Sequence, residues 1–103
     1  MQNCNSKTNT EIEFLSDFLK IVSEANRLRI ICFLQKNGER CVCEIQEFLN
    51  LQQNLISHHL KVLKDFDLLG SRKDGLKVYY QINHEELNKY KTSLNKILAK
   101  GEK

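Results

Sequence analysis

Residues 41–65 read CVCEIQEFLNLQQNLISHHLKVLKD. Two apolar-periodic segments flank a short polar break. A short helix is predicted over Val42 to Leu49, and a longer one from about Gln53 to Phe66, with Asn50-Leu51-Gln52 as the turn between them. In the second segment Ile56, Leu60 and Leu63 recur at helical spacing and define an inward face. Gln53, Asn54, Ser57, His58 and Lys61 lie on the other side. Short polar side chains on a helix suit the major groove, where base edges are read by hydrogen bonds. Ser57 and Lys61 are four apart and share a face. His58 and His59 point about 100° apart on a helix and make a poor chelating pair. His58 is therefore assigned to DNA and His59 to packing. The segment reads as a helix-turn-helix.

Downstream, the period changes. Leu69 to Lys73 and Lys77 to Ile82 flank Asp74-Gly75, a two-residue hairpin signal. Arg72, Lys73 and Lys77 surround the tip, where basic side chains meet phosphates or enter the minor groove. Asn83-X-X-Glu86 has capping spacing and opens a last helix with Leu87, Tyr90, Leu94, Ile97 and Leu98 on its stripe. Upstream, Thr10-X-X-Glu13 has the same spacing, and Ile12, Leu15, Leu19 and Val22 follow, widened by Phe14 and Phe18. Ser23 is expected to cap a second helix from about Glu24 to Lys36, which Asn37-Gly38 stops. Residues 1–9 are polar, carry Cys4 and read as a flexible arm. Residues 10–99 then form one domain and 100–103 a tail. The predicted order is α-α-α-α-β-β-α, a mainly α winged helix-turn-helix.

A chain of 103 residues without proline supports one small, helix-rich domain. Such a domain buries limited apolar area, so dimerisation would enlarge its core, and a two-fold dimer matches a palindromic site. The formal charge of +3, from 16 Lys plus Arg against 13 Asp plus Glu, permits nucleic acid without demanding it. No apolar run approaches the ~20 residues of a membrane span, and residues 1–10 lack a signal-peptide core. A cytoplasmic protein with reduced cysteines is expected. No Cys-X-X-Cys and no Cys-His-acid order suggest an enzyme, so none is expected.

Several pieces together resemble one family. These are Cys41-Val42-Cys43-Glu44-Ile45, the run from Asn54 through Ser57-His58-His59-Leu60 to Leu63, Arg72-Lys73-Asp74-Gly75, and Val78-Tyr79-Tyr80. They resemble the ArsR/SmtB family of bacterial and archaeal metal-responsive repressors over about residues 12–98. Leu28-Arg29-Ile30-Ile31 is similar to that family's second helix. The resemblance implies a homodimer through the first and last helices, bound to a double-stranded operator with an inverted repeat. It implies release by a metal, metalloid or other inducer, with no cofactor required for DNA binding.

The thiols supply the inducer chemistry. Thiolates select soft ions, including Cd(II), Pb(II) and trivalent arsenic or antimony. Arg40, next to Cys41, is expected to ease thiolate formation. Residues i and i+2 of a helix point about 200° apart, so chelation by Cys41 and Cys43 is expected to unwind the helix start. Two sulfurs leave a three-coordinate ion incomplete. By resemblance, one arsenic-responsive subgroup has a third cysteine three residues after the pair, but Gln46 stands there. Cadmium- and lead-responsive relatives recruit cysteines from an N-terminal arm, which here offers Cys4. Cys41, Cys43 and Cys4 are thus the candidate ligands, for As(III)/Sb(III) or alternatively Cd(II)/Pb(II). Oxidation or reactive sulfur acting on the same thiols is a further alternative. Cys32, beside Ala25 and Leu28 on its helix, is expected in the core. A zinc site of the kind relatives build on the last helix would need His84, Glu86, Ile97 and Lys100. An apolar residue and a cation cannot ligate zinc, so no such site is expected.

Overall fold

Helix α4, Gln53–Asp65, is the centre of the structure, a computed structural model that describes residues 6–99. Its apolar residues Ile56, Leu60 and Leu63 are completely buried, as the seven-residue spacing requires. Packed on it are α2 (Ala25–Asn37) and α3 (Val42–Leu49), and α1 (Ser6–Val22) and α5 (His84–Leu98) add side chains to the same core. Ile30, Leu34, Ile45 and Leu68 complete the sealed centre. Each such aliphatic side chain contributes about 1.5–3 kcal/mol on burial. A second, aromatic cluster joins the two terminal helices. Tyr90 of α5 stacks on Phe14 and Phe18 of α1, with ring centroids 4.5 and 4.3 Å away.

The turn between α3 and α4 follows from Asn50. It adopts the left-handed conformation at φ 54° and donates its N–H to the Gln46 carbonyl at 2.8 Å. Asparagine tolerates that conformation better than most residues, so it ends α3 cleanly. At the other end of α4, Asp67 is also left-handed, at φ 64°, and turns the chain into the wing.

The wing is a sheet with strand order β1-β3-β2, from β1 (Arg40–Cys41), β2 (Leu69–Asp74) and β3 (Lys77–Ile82). Strands β2 and β3 are antiparallel, pairing Leu69 with Ile82 through to Asp74 with Lys77. Their loop is therefore Gly75-Leu76, one residue later than the Asp-Gly signal predicts. Gly75 alone of the two has positive φ, +64°, as expected of a turn with glycine first rather than second.

Four other expectations need correction. The sequence holds no sign of β1, because two residues carry no periodicity; the strand exists through pairing of Arg40 with Tyr80 and Cys41 with Tyr79. Helix α1 begins at Ser6, not Thr10, since nothing in residues 6–9 breaks a helix and propagation past the nucleus is cheap. The cap of α2 is Glu24, whose carboxylate accepts the N–H groups of Asn26 and Arg27 at 2.7 and 3.2 Å, while Ser23 turns back to donate to the Lys20 carbonyl. Cys32 is exposed, together with Ala25 and Leu28. Ile30 and Leu34 of the same helix take the core, and a residue two positions from Ile30 points about 200° away.

Candidate nucleic-acid interface and thiol site

Helix α4 presents Gln53, Asn54, Ser57, His58 and Lys61 to solvent, as its pattern predicts. Lys61 pairs with Asp65 at 3.0 Å, an exposed i,i+4 contact weak enough to exchange for a phosphate. Asn54 accepts the Leu55 N–H at 2.9 Å. Lys73 and Lys77 are exposed near the wing tip. Arg72 is exposed too, yet its guanidinium donates from Nε and Nη2 to both carboxylate oxygens of Glu39, at 2.8 and 2.9 Å. It also lies over the Tyr79 ring, 4.7 Å from the centroid. The Glu39 carboxyl is held below its usual pKa mainly by this Arg72 hydrogen bond, against some desolvation.

His59 is buried, and it anchors α4 from behind. Its Nδ1 accepts the Arg27 Nε–H at 3.2 Å, and its Nε2 faces the Glu24 carboxylate at 3.8 Å. Desolvation holds its pKa below that of a free imidazole; Glu24 opposes this, while Arg27 and His58 reinforce it. The helix is thus fastened to the N-terminus of α2 by a neutral imidazole that accepts from a cation. A histidine kept neutral by folding binds a proton more readily when unfolded. Stability contributed by this site is complete above about pH 6.5 and falls as the pH drops below it. Glu24, whose pKa is lowered by two backbone N–H groups despite desolvation, loses its contribution only below the ordinary carboxyl range. Thermal melts between pH 7 and pH 5 are expected to show a steeper loss of Tm in the parent than in His59→Gln. Equal slopes would remove His59 from the account.

The thiol pair stands at the junction of wing and α3. Cys41 ends β1 and is also the N-cap of α3, with extended backbone at φ −77° and ψ 161°; Cys43 is the second residue inside the helix. The two sulfurs meet in a disulfide, with Cα atoms 5.3 Å apart. In the disulfide the two sulfurs meet with the helix start intact. The 200° separation applies to two helical residues, whereas Cys41 precedes the helix and its extended backbone swings its side chain toward Cys43. Helix α3 keeps its start, and Glu44 accepts the Cys41 N–H at 3.0 Å as the carboxylate half of a capping box. Arg40 reaches Glu44 at 3.9 Å and donates to the Glu39 carbonyl, so its charge is shared rather than dedicated to sulfur.

Cys41 and Cys43 line an open groove of about 440 Å³ together with Gln46 of α3, Gln53 and Ser57 of α4, and Leu76, Lys77 and Tyr80 of the wing. The structure therefore brings the thiol pair, the start of the base-reading helix and the wing around one space. Cys32 lines a separate depression with Phe33 and Phe48. Cys4 lies outside the described residues. Among the described residues no three His, Cys, Asp or Glu side chains form a metal-binding group, and no helix is long and apolar enough to cross a membrane. The sequence reading placed Gln46 beside the thiols, where one subgroup has a third cysteine, but missed Glu39 and Tyr79 as neighbours of the site. Of these two only Tyr79 carried a signal, its place in a strand-forming run.

Comparison with known proteins agrees with this fold. The profile described as bacterial regulatory protein, arsR family, matches residues 24–70, which span α2 to the start of β2. The arsenical resistance operon repressor of Staphylococcus aureus is 43% identical over 83 residues, 81% of this chain and 79% of that relative. The cadmium resistance transcriptional regulatory protein CadC of Lactococcus lactis subsp. lactis is 40% identical over 76 residues, 74% of this chain and 64% of that relative. Among solved structures, a homodimeric winged helix-turn-helix DNA-binding domain from Mycobacterium bovis superposes with a TM-score of 0.69 at 23% identity. It covers 94% of this chain and 89% of that one, a likeness of fold.

Proposed function

The chain belongs to the arsR family of bacterial regulatory proteins, and from that premise we propose that it is a transcriptional repressor released from its operator by As(III) or Sb(III) at cysteine thiolates. The observation that carries this reading is the shared groove: Cys41 and Cys43 lie beside Gln53, Ser57 and Lys77. An ion bound there needs no long pathway to disturb DNA contacts. Gln53, Asn54, Ser57, His58 and Lys61 read the major groove, and Lys73 and Lys77 hold phosphates beside it. In the disulfide state the pair offers no thiolate, so metalloid binding requires its reduction. A trivalent ion takes a third sulfur, and Cys4 is its source in this proposal.

The partner is a second copy of the chain. Ile12 and Leu19 of α1, and Ile97 and Leu98 of α5, are exposed apolar residues on the two helices that pack against each other. A two-fold pairing through these helices would cover them and set two copies of α4 on successive half-sites.

Two observations favour alternatives. The cadmium-resistance relative favours Cd(II) or Pb(II) as inducer, and the disulfide favours oxidation of the pair. One titration separates them. Reduced protein on operator DNA is exposed in parallel to arsenite, cadmium, lead and hydrogen peroxide. Release by arsenite with reductant present is the expected result. Release by cadmium or lead but not arsenite replaces the ion, and release by peroxide alone replaces the mechanism.

A further inference from the structure

Arg72 is a basic residue near the wing tip, and its sequence context assigns it to DNA. Its surroundings offer a second role. Two of its nitrogens are committed to Glu39, and Asp74 lies 3.8 Å from Nη1. A guanidinium facing two carboxylates has little net charge to offer a phosphate. Bidentate Arg–carboxylate geometry is the form of surface ion pair that holds a defined position, and stacking on Tyr79 restricts it further.

The position being held is informative. Cys41, Tyr79 and Arg72 occupy one line across the sheet, Cys41 opposite Tyr79 and Tyr79 opposite Arg72. Glu39 lies two residues before Cys41. The segment 39–41 is therefore tied to the wing twice, by the short β1–β3 pairing and by the Glu39–Arg72 fork. It is tied to α3 as well, by the Cys41 N–H on Glu44, by the Arg40–Glu44 ion pair and by the sulfur pair itself. The hairpin does not need the fork in order to form, since β2 and β3 pair over six residues each. The fork fixes where the hairpin sits relative to the thiols.

We propose that Glu39 and Arg72 form a strut that transmits the state of the Cys41–Cys43 pair to the wing, and that Arg72 is a positioning residue rather than a phosphate contact. The inference rests on the metalloid-repressor reading above. An ion held by both sulfurs of the reduced pair fixes the distance and direction between two thiolates that are otherwise independent, so binding repositions Cys41. Cys41 cannot shift without moving β1, and the fork makes Arg72 and the wing follow. With the strut cut, the thiols bind as before while the wing stays on DNA.

The test compares Glu39→Gln, Arg72→Gln and the double variant with the parent, using reduced full-length protein and inorganic arsenite. Operator affinity is measured with and without arsenite over a range of salt, and arsenite binding is measured separately. In the parent, arsenite is expected to weaken operator binding on the order of 100-fold, near the upper end of usual allosteric couplings. In all three variants that factor is expected to fall to about 5-fold or less. The double variant should be no worse than either single one, as for two residues acting through one contact. Apo affinity is expected to stay within about threefold and arsenite binding to be unchanged. Full release in the variants overturns the strut. So does loss of apo affinity in Arg72→Gln alone with a salt slope lower by about one, the signature of a phosphate contact. A parent that arsenite binds without releasing DNA overturns the functional reading itself, and the strut with it.

Discussion

Cys41→Ser is expected to bind the operator as the parent does and to lose its response to arsenite. The substitution is unusually clean. Cys41 is the N-cap of α3, and serine is among the residues preferred at an N-cap. Glu44 accepts the Cys41 N–H and the Cys41 side chain faces the Glu44 N–H; a serine hydroxyl accepts that N–H better than sulfur, so α3 should be kept or slightly strengthened. The hydroxyl is nevertheless a poor ligand for a soft ion. Cys43→Ser, at the second residue of the helix and exposed, should behave in the same way. In gel shifts with reductant, the inducer-dependent loss of affinity should drop from on the order of 100-fold to none in either variant. Release of either one at the parent's arsenite concentration would mean the pair is not the sensor. Retained release in Cys41→Ser alone would shift the ligand set to Cys43 and the arm.

Ile97→Glu is expected to abolish tight operator binding although residue 97 is far from the DNA-reading face in the sequence. Ile97 is 39% exposed in the single chain and shares α5 with Leu98, at 72%. Nothing in the monomer needs its burial, so the fold should survive the change. In a two-fold dimer through α1 and α5, the substitution places a carboxylate in the interface twice. An unpaired buried charge costs several kcal/mol, enough to dissociate a dimer of a small domain at micromolar concentration. A monomer reaches one half-site only, and affinity should fall by at least about 100-fold. Sedimentation and gel shift on one sample give both readouts. A variant that remains dimeric with parental affinity would place the interface elsewhere.

What the sequence by itself determined is what local chemistry and period can carry. The spacing of Ile56, Leu60 and Leu63 set the buried side of α4, and with it the exposure of Gln53, Asn54, Ser57, His58 and Lys61. Asn83 announced the start of α5, where its side chain accepts the Glu86 N–H. The two short strand runs and their glycine announced a hairpin, misplaced by one residue because Asp-Gly and Gly-Leu are both workable turns. These signals depend on residues within one or two turns of each other, so the order of elements was readable along the chain.

What only the tertiary structure decided depends on residues far apart. Strand β1 is two residues long and exists because Tyr79 and Tyr80 lie alongside it. The fork between Glu39 and Arg72 joins residues 33 apart, and nothing in either one's neighbours marks the other. The apolar neighbours of Cys32 suggested the core, but an amphipathic helix has one buried stripe, and packing gave it to Ile30 and Leu34. The sequence reading already started α3 at Val42; what it did not show is that the extended backbone of Cys41, paired in β1, brings its sulfur to Cys43. Local preference names the elements. Which side chains then meet is settled by long-range contacts whose energy appears only after the chain has closed on itself, and a single sequence carries no local trace of them.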